Sequence, residues 1–347
     1  MFEYLLNDEK LHSIINMLVN ADWADLQSLS QYYFEKGLAT ATQKTYTSAK
    51  KRFLLFCEHF NISPLPASED SLCAFASFLA AEGLSHKTIK CYLSAVRNLH
   101  LEFGRADPGI ARMPRLLQII RGIKSQEIRK SNDQGANCPR LPITPHILLS
   151  LHGVWQKDPD YSSRSLLWAA ACLAFFGFLR TAEFTLPTSH SYDKDSHLCI
   201  EDLAVDSSEH PSCLYVLIKQ SKTDPFRQGV TLVLGRTDQA LCPVSSMMAF
   251  LAKRGTHSGP LFMFEDRSYL TRSRFVWELK QALSAAGINA EKYNGHSFRI
   301  GAATTAAEKG IEDSIIQTLG RWKSTAYLLY VRLPRENLAQ LSTRLVS

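Results

Sequence analysis

Apolar runs long enough to cross a membrane are missing from this 347-residue chain. The longest, Leu166 to Leu179, falls short of the ~18–20 residues a spanning helix needs. The opening MFEYLLNDEKL lacks the basic start and extended apolar core of a secretory signal. Its eight cysteines (Cys57, Cys73, Cys91, Cys138, Cys172, Cys199, Cys213 and Cys242) show neither a CxxC pair nor metal-finger spacing. Several lie inside apolar helical patterns, where a free thiol behaves as a small buried hydrophobe. No glycine-rich loop of the kind that cradles ATP phosphates is found, and no convincing carboxylate cluster for a metal. Internal repeats and low-complexity tracts are absent too. These gaps point away from membrane, disulfide-scaffold and nucleotide-driven classes, towards a soluble intracellular protein that needs no cofactor.

What is present is ordinary globular material: 45% hydrophobic and 21% charged residues, enough for two cores. The net charge of +6 is modest but unevenly spread. Residues 1–37 carry 2 basic and 6 acidic groups, residues 38–142 carry 15 and 8, and residues 143–347 carry 22 and 19. The middle block, at +7, favours a polyanionic partner, although a basic face that serves only solubility would read the same way.

Leu11, Ile14, Ile15, Leu18 and Val19 fall at helical spacing in an acidic segment. Residues 1–37 are thus expected as a helical arm, packed on its own domain or reaching a neighbouring protomer. Residues 38–125 predict four helices. Thr42 is expected to cap the first, whose inward stripe is Tyr46, Ala49, Phe53, Phe56 and Phe60. Ser68 starts the second, and Ser85 caps the third, with Ile89, Tyr92, Leu93, Val96, Leu99 and Phe103 inward. The fourth runs through Met113, Leu117, Ile120 and Ile123. Lys87, Lys90 and Arg97 lie opposite the third stripe, a face suited to phosphate contacts or simply to solvent. Residues 126–142, polar with glycine, asparagine and prolines, read as an exposed linker.

In residues 143–334, a helix after Thr144–Pro145 is followed by SLLWAAACLAFFGFLRTAEFTLP, whose apolar part predicts a buried helix. Arg180 and Glu183 come next at a spacing of three, and a buried arginine needs such a partner. HLCIEDLAV, CLYVLIK and GVTLVL alternate as strands, with the hairpin QSKTDPFRQ between the last two. Further helices are expected over Leu241–Leu251 and Ser273–Ala286. The fold class is therefore mainly α with a small antiparallel β-sheet, in two domains. Residues 335–347 form a tail.

The stretch NGHSFRIGAATTAAEKGIEDSIIQTLGRWKSTAYLLY organises the chain. His296 and Arg299 share a helix face, Gly310 breaks that helix, Gly320 ends a second one, and Tyr330 stands ten residues after Gly320. In this order (Arg–x–x–acid, hairpin lysine, HxxR, then glycine with tyrosine ten later), the chain resembles the tyrosine recombinases of the phage-integrase type. The likeness covers roughly Thr40 to Pro334, and TIKCYLSAVRNLH resembles their N-terminal core-binding domain. It implies an α+β catalytic domain after that helical domain. The implied catalytic set is Arg180, Lys222, His296, Arg299, Arg321 and Tyr330, supported by Glu183 and Trp322, with Lys87, Lys90 and Arg97 binding double-stranded DNA. It further implies a homotetramer on two duplexes, with the tail docking on a neighbour.

Two guanidiniums can each hold two phosphate oxygens in a fork. A tyrosine of normal pKa ~10 must lose its proton during attack, which His296 is placed to take, and Lys222 can protonate the departing 5′ oxygen. Lys219 and Tyr327 compete for the lysine and tyrosine places. Arg321 stands where most members have His or Trp, with Trp322 one step on. GRW with HSFRIGAAT is similar to recombinases of eukaryotic mobile elements (Crypton or DIRS/Ngaro-like), which implies a nuclear protein. The alternative is a domesticated, non-catalytic DNA-binding protein that kept the fold. A type IB topoisomerase shares the chemistry and is the third reading.

Overall fold

The computed structural model describes residues 22–133, 140–157, 161–222, 224 and 226–332. They fall into two compact units, dividing between residues 137 and 138. The apolar stripe at Leu11 to Val19 and the tail from residue 335 lie outside the described residues. Among those described, no helix is long and apolar enough to cross a membrane.

The first unit is helical. Helix α1 (Trp23–Lys36) starts at an Asp22 cap, and none of its residues is buried. Helix α2 (Thr40–His59) begins two residues before the expected Thr42 cap, with Ala39 in the cap position and no side-chain bond. In α3 (Glu69–Ala81) the Ser68 hydroxyl accepts from Ser71 N–H, with Glu69 and Asp70 favourably placed at the positive helix end. Ser85 caps α4 (His86–Glu102) in the same way.

Phe53 and Phe56 of α2, Leu72, Phe75 and Leu79 of α3, and Ile89, Leu93, Val96 and Leu99 of α4 form one core. Phe60 and Phe103, expected inward, are 56% and 65% exposed, because each helix ends one residue earlier and the chain turns away. Helix α5 (Pro114–Asp133) runs on through the first residues of the expected linker. KSQEIRKSND contains helix formers and no breaker before Gly135, and Glu127 is tied down by the backbone N–H of His86 at 3.0 Å.

The second unit is built on α7 (Tyr161–Phe176), whose described residues from Leu166 to Phe175 are all buried. Helix α6 (Pro145–Trp155), capped by Thr144, precedes it. A short α8 (Thr181–Phe184) follows. The sheet is antiparallel in the order β1 (Leu203–Val205), β2 (Cys213–Ile218), β3 (Val230–Gly235). Val216 stands opposite Leu203 on one side and Leu232 on the other. The first strand is much shorter than HLCIEDLAV suggested. The Asp202 carboxylate accepts from Cys199 N–H at 2.7 Å and folds Ile200–Asp202 into a turn, a side chain competing with the ladder. Helices α9 (Pro243–Arg254), α10 (Arg272–Ala285), α11 (His296–Glu308) and α12 (Asp313–Leu319) complete the unit, and a 3-10 turn, Thr325–Leu329, leads to Tyr330.

The start of α11 lies hard against α8: a Cβ on Gly295 would stand 1.7 Å from Thr181 Oγ1. Gly295→Ala should therefore force the two segments apart. We expect a loss on the order of 2–3 kcal/mol in denaturant unfolding; an unchanged midpoint would show that the contact gives way freely.

Candidate active site

Two arginines meet one carboxylate, and a third is held by backbone carbonyls beside them. Arg180 follows the carboxyl end of α7, and Glu183 folds back on it: Arg180 N–H donates to Oε2 and Nη1 to Oε1, both at 2.9 Å. Arg321 reaches the same carboxylate from the other end of the chain, Nη2 donating to Glu183 Oε2 at 2.8 Å and Nη1 to Gly177 O at 3.0 Å. Arg299, on the second turn of α11, is fully buried. Its Nη1 donates to Phe178 O at 2.6 Å and its Nη2 to Gly320 O. Gly177 and Phe178 lie just past the end of α7, where carbonyls lack helical partners and carry partial negative charge.

Beneath Arg299 lies the Trp322 ring, 4.2 Å from the guanidinium carbon, with the Tyr330 ring at 5.5 Å. Gly320 makes room for that indole: a Cβ there would sit 1.6 Å from a Trp322 ring carbon. Arg321 has φ +56°, a left-handed conformation. The helix has therefore ended before Arg321. Arg321 turns inward, 10% exposed, rather than to solvent. Trp322 turns inward beside it as the packing platform.

Tyr330 is half-buried, its hydroxyl 3.1 Å from His296 Nε2. Its segment is pinned to α11, because Thr304 Oγ1 donates to Tyr330 O at 3.3 Å and accepts from Arg332 N–H at 2.9 Å. Tyr327 is different: its ring is in the core, and burial and a bond to Asp313 raise its pKa.

With Glu183 the only carboxylate among these groups, two positive charges stay unbalanced. Arg299 is pushed down to about 9, first by burial and then by Arg180 and Arg321. Burial also lowers Arg321, against the pull of Glu183. His296 is held below the ordinary histidine value by burial, then by Arg299, Arg180, Arg140 and Arg272. The ring is therefore neutral at pH 7 and can accept the Tyr330 proton. Arg299 Nε, Arg321 Nε and Trp322 Nε1 are buried without acceptors among the described residues. An anion would relieve both the charge surplus and part of the crowding.

Not every expected residue joins the cluster. Lys222 is exposed in the β2–β3 hairpin. Lys219, the competing lysine, is committed elsewhere: its amine meets Asp202 Oδ2 at 2.7 Å and donates to Lys194 O at 2.6 Å. Lys87, Lys90 and Arg97 lie exposed on α4 of the first unit, and Arg97 is paired with Asp107 at 2.6 Å. Sequence reasoning missed the Glu183–Arg321 bond and the Trp322 platform. The dense glycines near Gly320 and Gly295 were the available signal of close approach.

No family model matches the chain. A curated relative, an integrase/recombinase xerD homolog of Selenomonas ruminantium, is 24% identical over 300 residues, spanning 84% of this chain and 80% of the relative. Among solved structures, the XerH site-specific recombinase in a post-cleavage complex with palindromic difH substrate superposes at a TM-score of 0.62 and 17% identity, covering 100% of this chain and 91% of that one. XerH in a pre-cleavage complex with difH gives 0.52 at 17% identity, over 80% and 70%. The mainly helical fold with its small antiparallel sheet is thus the fold of these recombinases, as the sequence implied.

Glu183→Gln removes the charge that holds Arg180 and Arg321. Breaking such a buried pair should cost roughly 3–5 kcal/mol in denaturant unfolding. A loss under ~1 kcal/mol would mean that Glu183 is not the hub of the cluster.

Proposed function

We propose that the protein is a site-specific DNA recombinase or integrase of the tyrosine type, cleaving and rejoining DNA through a covalent 3′-phosphotyrosine without metal or ATP. The contact that carries this reading is Tyr330 with neutral His296, 3.1 Å apart at the edge of a buried cluster with surplus positive charge. A non-catalytic DNA-binding descendant would have no use for that pair. The DNA-bound recombinases that share the fold support the same substrate.

In this reading, one phosphodiester binds at the cluster of Arg180 and Arg299, and its charge offsets part of theirs. The Tyr330 oxygen attacks phosphorus, His296 takes the phenolic proton, and the P–O5′ bond breaks. Lys222 swings in with its hairpin over the DNA and protonates the 5′ oxygen, giving a free 5′-hydroxyl. Attack by a 5′-hydroxyl of another strand reverses the steps, so bond energy is conserved. Fixed positive groups stabilise the charge that develops on the phosphoryl oxygens. Arg321, which holds Glu183, takes the place of the family's His or Trp.

The helical unit with Lys87, Lys90 and Arg97 grips the duplex backbone. Assembly as a homotetramer on two duplexes, with residues 335–347 docking on a neighbour, follows from the resemblance. A source among eukaryotic mobile elements, and with it a nuclear site of action, rests on the GRW and HSFRIGAAT motifs alone.

Incubation with DNA followed by denaturing electrophoresis tests the reading. Tyr330→Phe should abolish the covalent adduct and leave DNA binding nearly intact, whereas Tyr327→Phe should still form it; the opposite pattern would reassign the nucleophile.

Lys222→Ala should recover on DNA whose bridging 5′ oxygen is sulfur, because a thiolate leaves without a proton. Persistent inactivity there would move the acid elsewhere.

His296 must be neutral to act as base. Because its pKa is lowered, the neutral form persists as pH falls past the ordinary value of about 6.5. The adduct rate at sub-saturating DNA, which reports the free protein, should hold down to about pH 6.5 and fall only below it. A decline beginning well above that value would contradict the role.

A further inference from the structure

Two arginines outside the motifs stand beside the site. Arg140 opens the segment that runs along the start of α11, where Leu141 N–H donates to Lys292 O and Ile143 N–H to Ser297 O, both at 2.9 Å. Arg272 begins α10, and its backbone N–H donates to Leu186 O at 2.9 Å, just past the end of α8. One thus approaches His296 along its own helix, the other from the side of Arg180 and Glu183. Both side chains are exposed, and neither has a hydrogen bond or ion pair among the described residues. Arg274, close by on α10, is by contrast held by Glu278 at 2.6 Å.

The charges of Arg140 and Arg272 also reach His296, where they add to the effect of Arg299 and Arg180. Adding like charge around a cluster already in positive surplus is unfavourable in the empty protein. Arginines that served solubility alone would be better placed elsewhere on the surface.

We propose that Arg140 and Arg272 form a positive rim that grips the backbone phosphates flanking the cleaved one, one on each side, and so fixes the register of the DNA over Tyr330. This rests on the reading of the chain as a DNA-cleaving enzyme. Such contacts position without reading sequence, and neither residue belongs to the catalytic set.

The test uses the full chain and a duplex spanning the site where the wild-type adduct maps. On phosphodiester DNA, Arg140→Gln and Arg272→Gln should each slow adduct formation about tenfold, and each should lower the salt dependence of binding by about one counterion. Arg→Lys at either place should recover part of the rate. A neutral methylphosphonate, placed in turn at each flanking phosphate, should slow the wild type. At the phosphate a given arginine contacts, it should also erase the difference between that variant and the wild type, since the partner charge is already gone. An equal loss on both DNAs, or no loss on either, overturns the proposal. Failure of the wild type to form any adduct would instead defeat the reading it rests on.

Discussion

The surplus of positive charge in the arginine cluster gathered at the end of α7 governs the second unit. A helix that is apolar from Leu166 to Phe176 ends there in carbonyls without helical partners. Arg321 and Arg299 reach back to Gly177 O and Phe178 O to satisfy them, while Glu183 binds Arg180 and Arg321 together. Segments far apart in sequence (the turn after α7, the start of α11, the Gly320 turn and the tyrosine turn) are thereby drawn to one point. The close approaches at Gly295 and Gly320 are consequences of that convergence. Hydrogen bonds to carbonyls satisfy donors but cancel no charge, so the site stays positive however well its polar atoms are paired.

That imbalance costs stability in the free protein and is useful when an anion arrives. Arg321 is held in a left-handed conformation, a local strain kept in place by its bonds to Glu183 and Gly177. Arg299 is fixed between two carbonyls and the Trp322 ring. Donors already fixed in place need no reorganisation when charge develops on a bound phosphate. His296 feels the same field, which keeps it a base; a bound phosphate would offset that field and help the imidazolium once the proton has moved.

Much of this was legible in the chain. The stripes of α3 and α4 and the apolar run of α7 foretold their elements and cores, and serine caps marked two helix starts. His296 and Arg299 were readable together because a spacing of three puts side chains on one helix face. Arg180 and Glu183 do pair, but through the cap of α8, with Arg180 in extended backbone before the helix. The Gly320-to-Tyr330 spacing anticipated the tyrosine that meets His296. What escaped were features decided by tertiary contact. A left-handed Arg321 cannot be foreseen from propensity. Asp202 shortened the first strand by bonding the backbone of Cys199. Helix α5 continued past the expected boundary because polarity alone does not stop a helix.

The central claim is that Tyr330 becomes covalently joined to a DNA 3′-phosphate. Digesting the denatured adduct with nuclease and protease, then sequencing the modified peptide by mass spectrometry, tests it most directly. The account predicts a nucleotide joined through its 3′-phosphate to the peptide that carries Tyr330. A nucleotide on Tyr327 or on any other side chain, or a 5′ linkage, would contradict it.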